Sequence, residues 1–171
     1  MLAFVSLGAD GERSFSFYRN PSADMLLRPE DVVYDVIDDK RIFHYGSITM
    51  IDEPSHSALL AALQYARDRG LIISYDPNLR LNLWPDAETA RAGMISGLDY
   101  ATVLKVSEEE LEFMTGGHDV TPLWRDGMKL IVVTCGAVGS RAYTRSAQAE
   151  MPGFAVTAVD TTGAGDGFVA G

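Results

Sequence analysis

Between residues 41 and 136 the chain alternates short apolar runs with stretches of helical periodicity, and this leaves few folds open. Residues 41–48 (RIFHYGSI), 71–77 (LIISYDP), 101–107 (ATVLKVS) and 129–136 (KLIVVTCG) read as strands. Between them, residues 55–69 repeat Leu59, Leu60, Leu63 and Ala66 at helical spacing and stop at Gly70, a suitable C-terminal cap. Residues 86–98 form a second helical stretch with Asp86 as N-cap, and 108–114 a third, closed by Gly116-Gly117. Strand–helix–strand repetition predicts β-α-β units, hence an α/β fold with a mainly parallel sheet covered on both faces. Residues 139–145 and the run after them read as shorter antiparallel pieces. Residues 2–8 and 13–19 alternate around Ala9-Asp10-Gly11, a strong hairpin signal. Alternation puts Phe15, Phe17 and Arg19 on one face of the second hairpin strand.

Charge and composition exclude several functions. Acidic residues number 24 against 14 basic ones, a formal net charge of −10. Such a surface repels nucleic acid and anionic lipid. The single cysteine, Cys135, rules out an intramolecular disulfide and sits in an apolar run, as a small buried hydrophobe in a reducing compartment would. No apolar run approaches the ~20 residues of a membrane span. The opening MLAFVSLGADGE has no basic signal-peptide region, so the expected location is the cytoplasm. Both ends read as cut: a strand with no loop before it, and a helix of about two turns, too short to stand alone.

In an open parallel sheet, ligands bind beyond the carboxyl ends of the strands. Ser47, Asp76, Asn78, Arg80, Lys105, Ser107, Thr134 and Gly136 fall there. Near the C-terminus stands Asp160-Thr161-Thr162-Gly163-Ala164-Gly165-Asp166-Gly167-Phe168. Small residues at 163–165 allow a tight turn that gathers N–H groups at a helix start, which favours an anion. A carboxylate beside a bound anion makes sense if Asp166, ionised at neutral pH, takes a proton from a hydroxyl that attacks phosphorus. Phosphoryl transfer asks little more than positioning and fixed positive charge. A dinucleotide-binding oxidoreductase would need G-x-G-x-x-G after an early strand, and a P-loop would need G-K-S/T; neither is present.

The DTTGAGDGF string resembles the second signature of the ribokinase-like (PfkB) sugar-kinase family, and the resemblance runs over essentially the whole chain. It implies a three-layer α/β/α domain over 41–171, with residues 1–25 as a substrate- or lid-side hairpin and the domain incomplete. By that resemblance Asp166 is the base, Gly163, Ala164 and Gly165 the anion hole, and Asp160 and Thr162 contribute to a monovalent-cation (potassium) site. Lys105-Val106-Ser107-Glu108-Glu109-Glu110 looks like the family's N-x-x-E segment, with Ser107 where asparagine is usual and Glu110 ordering magnesium-bound water. Thr134-Cys135-Gly136-Ala137-Val138-Gly139 resembles the nucleotide loop, so Lys105, Ser107, Thr134, Gly136 and Gly139 are expected to approach ATP. Asp76-Pro77-Asn78-Leu79-Arg80 is similar to the D-P-N-x-R segment of fructokinases and 2-keto-3-deoxygluconate kinases. Residues 11–25 look like bacterial fructokinases in particular. Phe17, Arg19 and Arg80 are thus expected at the sugar. The implied activity is Mg-ATP-dependent phosphorylation of fructose at O6. Two alternatives remain: 2-keto-3-deoxygluconate or another sugar as substrate, with Arg19 as counter-charge to the acid, and a non-catalytic remnant with little activity of its own. A homodimer of the full-length protein is compatible with this reading.

Overall fold

Why strands and helices alternate here is visible in which side chains they bury. The structure, a computed structural model, describes residues 2–7, 13–157 and 160–171. Strands β1 (Leu2–Leu7) and β2 (Arg13–Tyr18) form a separate antiparallel pair, in register from Leu2 opposite Tyr18 to Leu7 opposite Arg13. The Asp-Gly turn expected between them lies outside the described residues. A short helix α1 (Asp35–Asp38) precedes the main sheet.

That sheet holds β3 (Ile42–Tyr45), β4 (Ile72–Tyr75), β5 (Val103–Ser107), β6 (Leu130–Thr134), β7 (Gly139–Tyr143) and β8 (Gln148–Pro152), side by side in chain order. The first four are parallel and the last two antiparallel. The connections carry α2 (Ser55–Asp68), α3 (Ala87–Gly97) and α4 (Glu108–Thr115). A last helix, α5 (Ala164–Ala170), starts at the glycine turn.

Helix starts and stops follow the local chemistry. Asp86 caps α3 by accepting the Thr89 N–H at 2.7 Å. Gly70 and Gly116, at φ 73° and 78°, take the left-handed positions that end α2 and α4. Ala58, Leu59, Ala62, Leu63 and Ala66 of α2 are buried, one stripe at helical spacing.

The strands differ from expectation in one respect. Read as continuous apolar runs buried on both faces, they instead alternate: Leu104, Val106, Ile131 and Val133 are buried while their neighbours along the strand are half-exposed. The reason is topological. Crossovers between parallel strands are right-handed as a rule, and with β3 to β6 following one another in chain order that rule sets α2, α3 and α4 on the same face. Opposite that layer, Ile42 and Ile72 stay 58% and 47% exposed, and His44 meets Ser74 at 3.1 Å. Under the helical layer Tyr45 stacks on Tyr75, ring centroids 4.5 Å apart. Gly97 makes room for this, since a Cβ there would lie 2.6 Å from the Tyr75 ring.

Candidate active site

The carboxyl ends of β3 to β6 build the site. Ser47 and Asp76 lie just past β3 and β4, and Ser107 and Thr134 are the last residues of β5 and β6. Ser47 has a supporting part: its N–H and hydroxyl both donate to the Pro77 carbonyl, at 3.0 and 2.6 Å. That fixes the start of the 76–80 loop. Asp76 is buried, and its Oδ2 accepts from Lys105 Nζ at 3.0 Å. Its Oδ1 is fully enclosed and has no partner among the described residues.

Ser107 caps α4. Its hydroxyl accepts the Glu110 N–H at 3.2 Å, and Glu110 Oε2 accepts the Ser107 N–H at 2.9 Å. The reciprocal pair explains serine at this position: S-x-x-E is capping-box spacing, a signal the sequence displays openly. Glu110 is buried, and its second oxygen accepts the Leu79 N–H at 2.7 Å. The residue expected to order magnesium-bound water thus also ties the 76–80 loop to the start of α4. Glu109 was not singled out from sequence, yet it faces the same space. Its own N–H and the Ser107 hydroxyl hold its carboxyl below the usual range, against some desolvation.

At the glycine motif, Gly163 adopts φ 72° as N-cap of α5, so the tight turn expected from small residues is present. Ala164 N–H turns back to Thr161 O at 3.1 Å. Asp160 Oδ1 accepts the Thr162 N–H at 2.8 Å. Asp166 is exposed at the third position of α5, with Asn78 Nδ2 3.4 Å from its Oδ1.

These residues line two adjoining cavities. The first, about 680 Å³, is bordered by Asp76, Asn78, Arg80 and Asp166, with Thr162 and Gly163 at its rim. The second, about 600 Å³, is bordered by Ser107, Glu109, Thr134, Gly136 and Gly139, with Phe168 as an apolar wall. Lys105, Thr161, Ala164 and Gly165 line both and form the wall between them. Lys105 Nζ fills the space against Gly165, where a Cβ would come within 3.1 Å of it. Gly139 keeps β7 and β8 close: at φ 122°, a Cβ there would sit 2.0 Å from the Met151 carbonyl oxygen. Arg80 donates to the carbonyl of Leu79 at 2.9 Å while bordering the first cavity.

Two expected sugar contacts are not brought to this site. Phe17 and Arg19 line neither cavity. Arg19 is buried, its Nε donates to Asp24 at 2.8 Å and an Nη to the Ile48 carbonyl at 3.2 Å, and Asp52 lies 3.9 Å away. Two carboxylates from separate segments converge on the guanidinium, which therefore acts here as an internal clamp. Among the described residues no three acidic, histidine or cysteine side chains cluster as a metal cage, and no helix is long and apolar enough to cross a membrane.

Comparison with known proteins gives the family and the fold. The family profile described as "pfkB family carbohydrate kinase" matches residues 1–171. A probable fructokinase-4 of Arabidopsis thaliana is 54% identical over 173 residues, covering 98% of this chain and 53% of the relative. A solved fructokinase of Xylella fastidiosa with bound ATP superposes with a TM-score of 0.90 at 39% identity, covering 99% of this chain and 54% of that one. A Vibrio cholerae fructokinase, solved with fructose, ADP and a calcium ion, gives a TM-score of 0.83 at 33% identity, covering 99% and 56%. The chain spans about half the length of the relatives it matches.

Proposed function

The chain belongs to the pfkB family of carbohydrate kinases, and from that premise we propose that it carries the phosphoryl-transfer centre of an ATP-dependent kinase acting on fructose. The observation that carries the reading is the shared wall. The first cavity holds the exposed carboxylate of Asp166, the second is rimmed by glycines, small polar groups and Glu109, and a lysine and a helix start divide them. That is the arrangement in-line transfer needs: acceptor on one side, nucleotide on the other, fixed positive charge between.

Asp166 takes the proton of the sugar hydroxyl. The hydroxyl oxygen forms its bond to the γ-phosphorus of ATP as the bond from phosphorus to the β–γ bridging oxygen breaks, and ADP leaves. Ala164 N–H is spent on Thr161, so the N–H groups of Gly165 and Asp166, which have no intrahelical acceptor, supply the amide share of the anion hole. Lys105 and Arg80 supply full charges. Removing one such donor costs on the order of 3 kcal/mol of barrier, or about a hundredfold in rate. Lys105, Ser107, Thr134, Gly136 and Gly139 form the nucleotide side.

Magnesium would enter this site as the ATP complex, and Glu110 would order one of its water molecules. Asp160 and Thr162 offer hard oxygen donors for potassium. The neutralised Arg19 argues against an acid sugar, because its charge already answers Asp24. The reading includes a cytoplasmic enzyme and a homodimer, for which Leu2, Phe4 and Tyr18, all exposed on the β1–β2 pair, offer an apolar face.

The test is ADP release by the protein that carries this chain, with Mg-ATP and a panel of sugars including fructose and 2-keto-3-deoxygluconate. Fructose turnover, lost about 10²–10⁴-fold in Asp166→Asn, is the expected result. Turnover on another sugar alone ends the fructose assignment, and an Asp166→Asn variant with the parent kcat ends the assigned base.

A further inference from the structure

Among the described residues Asn78 is the one non-glycine with positive φ, at 49°. Left-handed backbone is unfavourable for an ordinary side chain, though asparagine tolerates it best. Such a conformation persists where the surroundings over-determine it. Both neighbours of Asn78 are clamped. On one side the Pro77 carbonyl accepts two donors from Ser47, at 3.0 and 2.6 Å. On the other, the Leu79 N–H donates to the buried Glu110 carboxylate at 2.7 Å. Glu110 is itself fixed by its reciprocal bonds with Ser107. Between these clamps the Asn78 amide projects into the first cavity and reaches Asp166 Oδ1 at 3.4 Å.

We propose that Asn78 is a positioning residue for the Asp166 carboxylate, and that Glu110 holds it in place through the Leu79 N–H. The amide engages one carboxylate oxygen, which turns the other toward the incoming hydroxyl. This role presupposes the kinase reading of Asp166. It gives Glu110 a task besides any contact with magnesium-bound water, one made of backbone N–H groups donating to its carboxylate.

Three variants separate the roles. Asn78→Gly keeps the left-handed backbone without strain and removes only the amide, so Tm stays at or above the parent value. Its kcat falls about ten- to hundredfold, the weight of a hydrogen bond to a charged group, while KM for ATP is unchanged. Glu110→Gln places an amide donor against one of the two N–H groups and lowers kcat by the same route. Combined with Asn78→Gly it therefore adds little further loss at saturating magnesium. Full additivity of the two changes at saturating magnesium would overturn the link. An Asn78→Gly enzyme with the parent kcat would overturn the positioning role.

An activity-independent readout guards the inference: the Asn78 side-chain amide resonance should move in both Asp166→Ala and Glu110→Gln. An unmoved resonance refutes the contact. If the parent phosphorylates no sugar, the kinase reading fails by itself and the resonance still decides the contact.

Discussion

Lys105 and Asp76 form the most consequential ion pair in the site, and replacing Lys105 by methionine tests it. The atoms lie 3.0 Å apart, with side chains only 12% and 4% exposed. At an effective dielectric of 20 the gross attraction at that distance is about 5 kcal/mol. Desolvation of the two ions takes back several kcal/mol each, so the intact pair contributes little net stability. Deleting one partner is different. Asp76 already has one enclosed oxygen without a partner, and Lys105→Met leaves its whole carboxylate buried and uncompensated. A loss of about 3–5 kcal/mol is expected. Against a total stability of roughly 5–15 kcal/mol this is a large share. With a urea slope near 2 kcal/mol per molar, the midpoint falls by about 2 M. Asp76→Leu combined with Lys105→Met removes both charges and should return close to the parent midpoint. Activity should not return with it, because the cation between the cavities is gone. Urea unfolding followed by tryptophan fluorescence, with ADP release measured on each variant, reads both effects. A Lys105→Met protein with the parent midpoint, or a double variant as unstable as the two singles summed, would refute the reasoning.

Gly139→Ala forces a Cβ to within 2.0 Å of the Met151 carbonyl oxygen at a φ of 122°, so β7 and β8 must part. The expected cost is about 3 kcal/mol, with a raised KM for ATP; a parent-like thermal midpoint and KM would contradict it. Burial pushes the Cys135 thiol up from its ordinary value, with the nearby Glu108 adding to the effect. Less thiolate is present at pH 8, and iodoacetamide should label the folded protein far more slowly than the urea-unfolded one; equal rates would count against the burial. The Asp86 carboxyl is held below its usual range, first by the Thr89 N–H and then by its hydroxyl. A depressed carboxylate adds stability above its unfolded pKa and loses it as pH falls through the folded value. Asp86→Asn keeps a good cap near neutrality but should flatten the acid limb of Tm against pH, and an unchanged limb would remove Asp86 from that account.

Local chemistry made much of this protein legible. Helix ends at Asp86, Gly70 and Gly116 follow from which residues cap or tolerate left-handed backbone. The glycine turn before Asp166 follows in the same way, since only close neighbours in sequence define it. Ser107 was readable too: its spacing from Glu110 is that of a capping box, and this explains serine without any reference to phosphate. What could not be read is whatever depends on partners distant along the chain. Alternation along β2 puts Arg19 and Phe17 on one face, but alternation says nothing of Asp24 and Asp52 folding back to neutralise the guanidinium. Likewise the strand pattern of residues 101–107 marks Lys105 as half-exposed and not as paired with Asp76 29 positions earlier.

The same distinction separates the chemical groups of the site from their aim. Residue types at strand ends name the acid, the lysine and the arginine. Their directions are set by bonds between segments: Ser47 to Pro77, Glu110 to Leu79, and Asn78 to Asp166 88 positions away. Each of these contacts joins groups that are ordinary in sequence. A proline carbonyl and a leucine N–H carry no signal of their own, yet they hold the one strained asparagine against the carboxylate. Substitutions at the named groups should therefore remove chemistry, whereas substitutions at Ser47 or Glu110 should misdirect it. The mark of the second kind is clearest at Ser47, a lowered kcat with ATP affinity intact, because its clamp falls on the 76–80 loop and none of residues 76–80 lines the second cavity; Glu110 also holds Ser107 of that cavity, so its substitution reaches the nucleotide side as well.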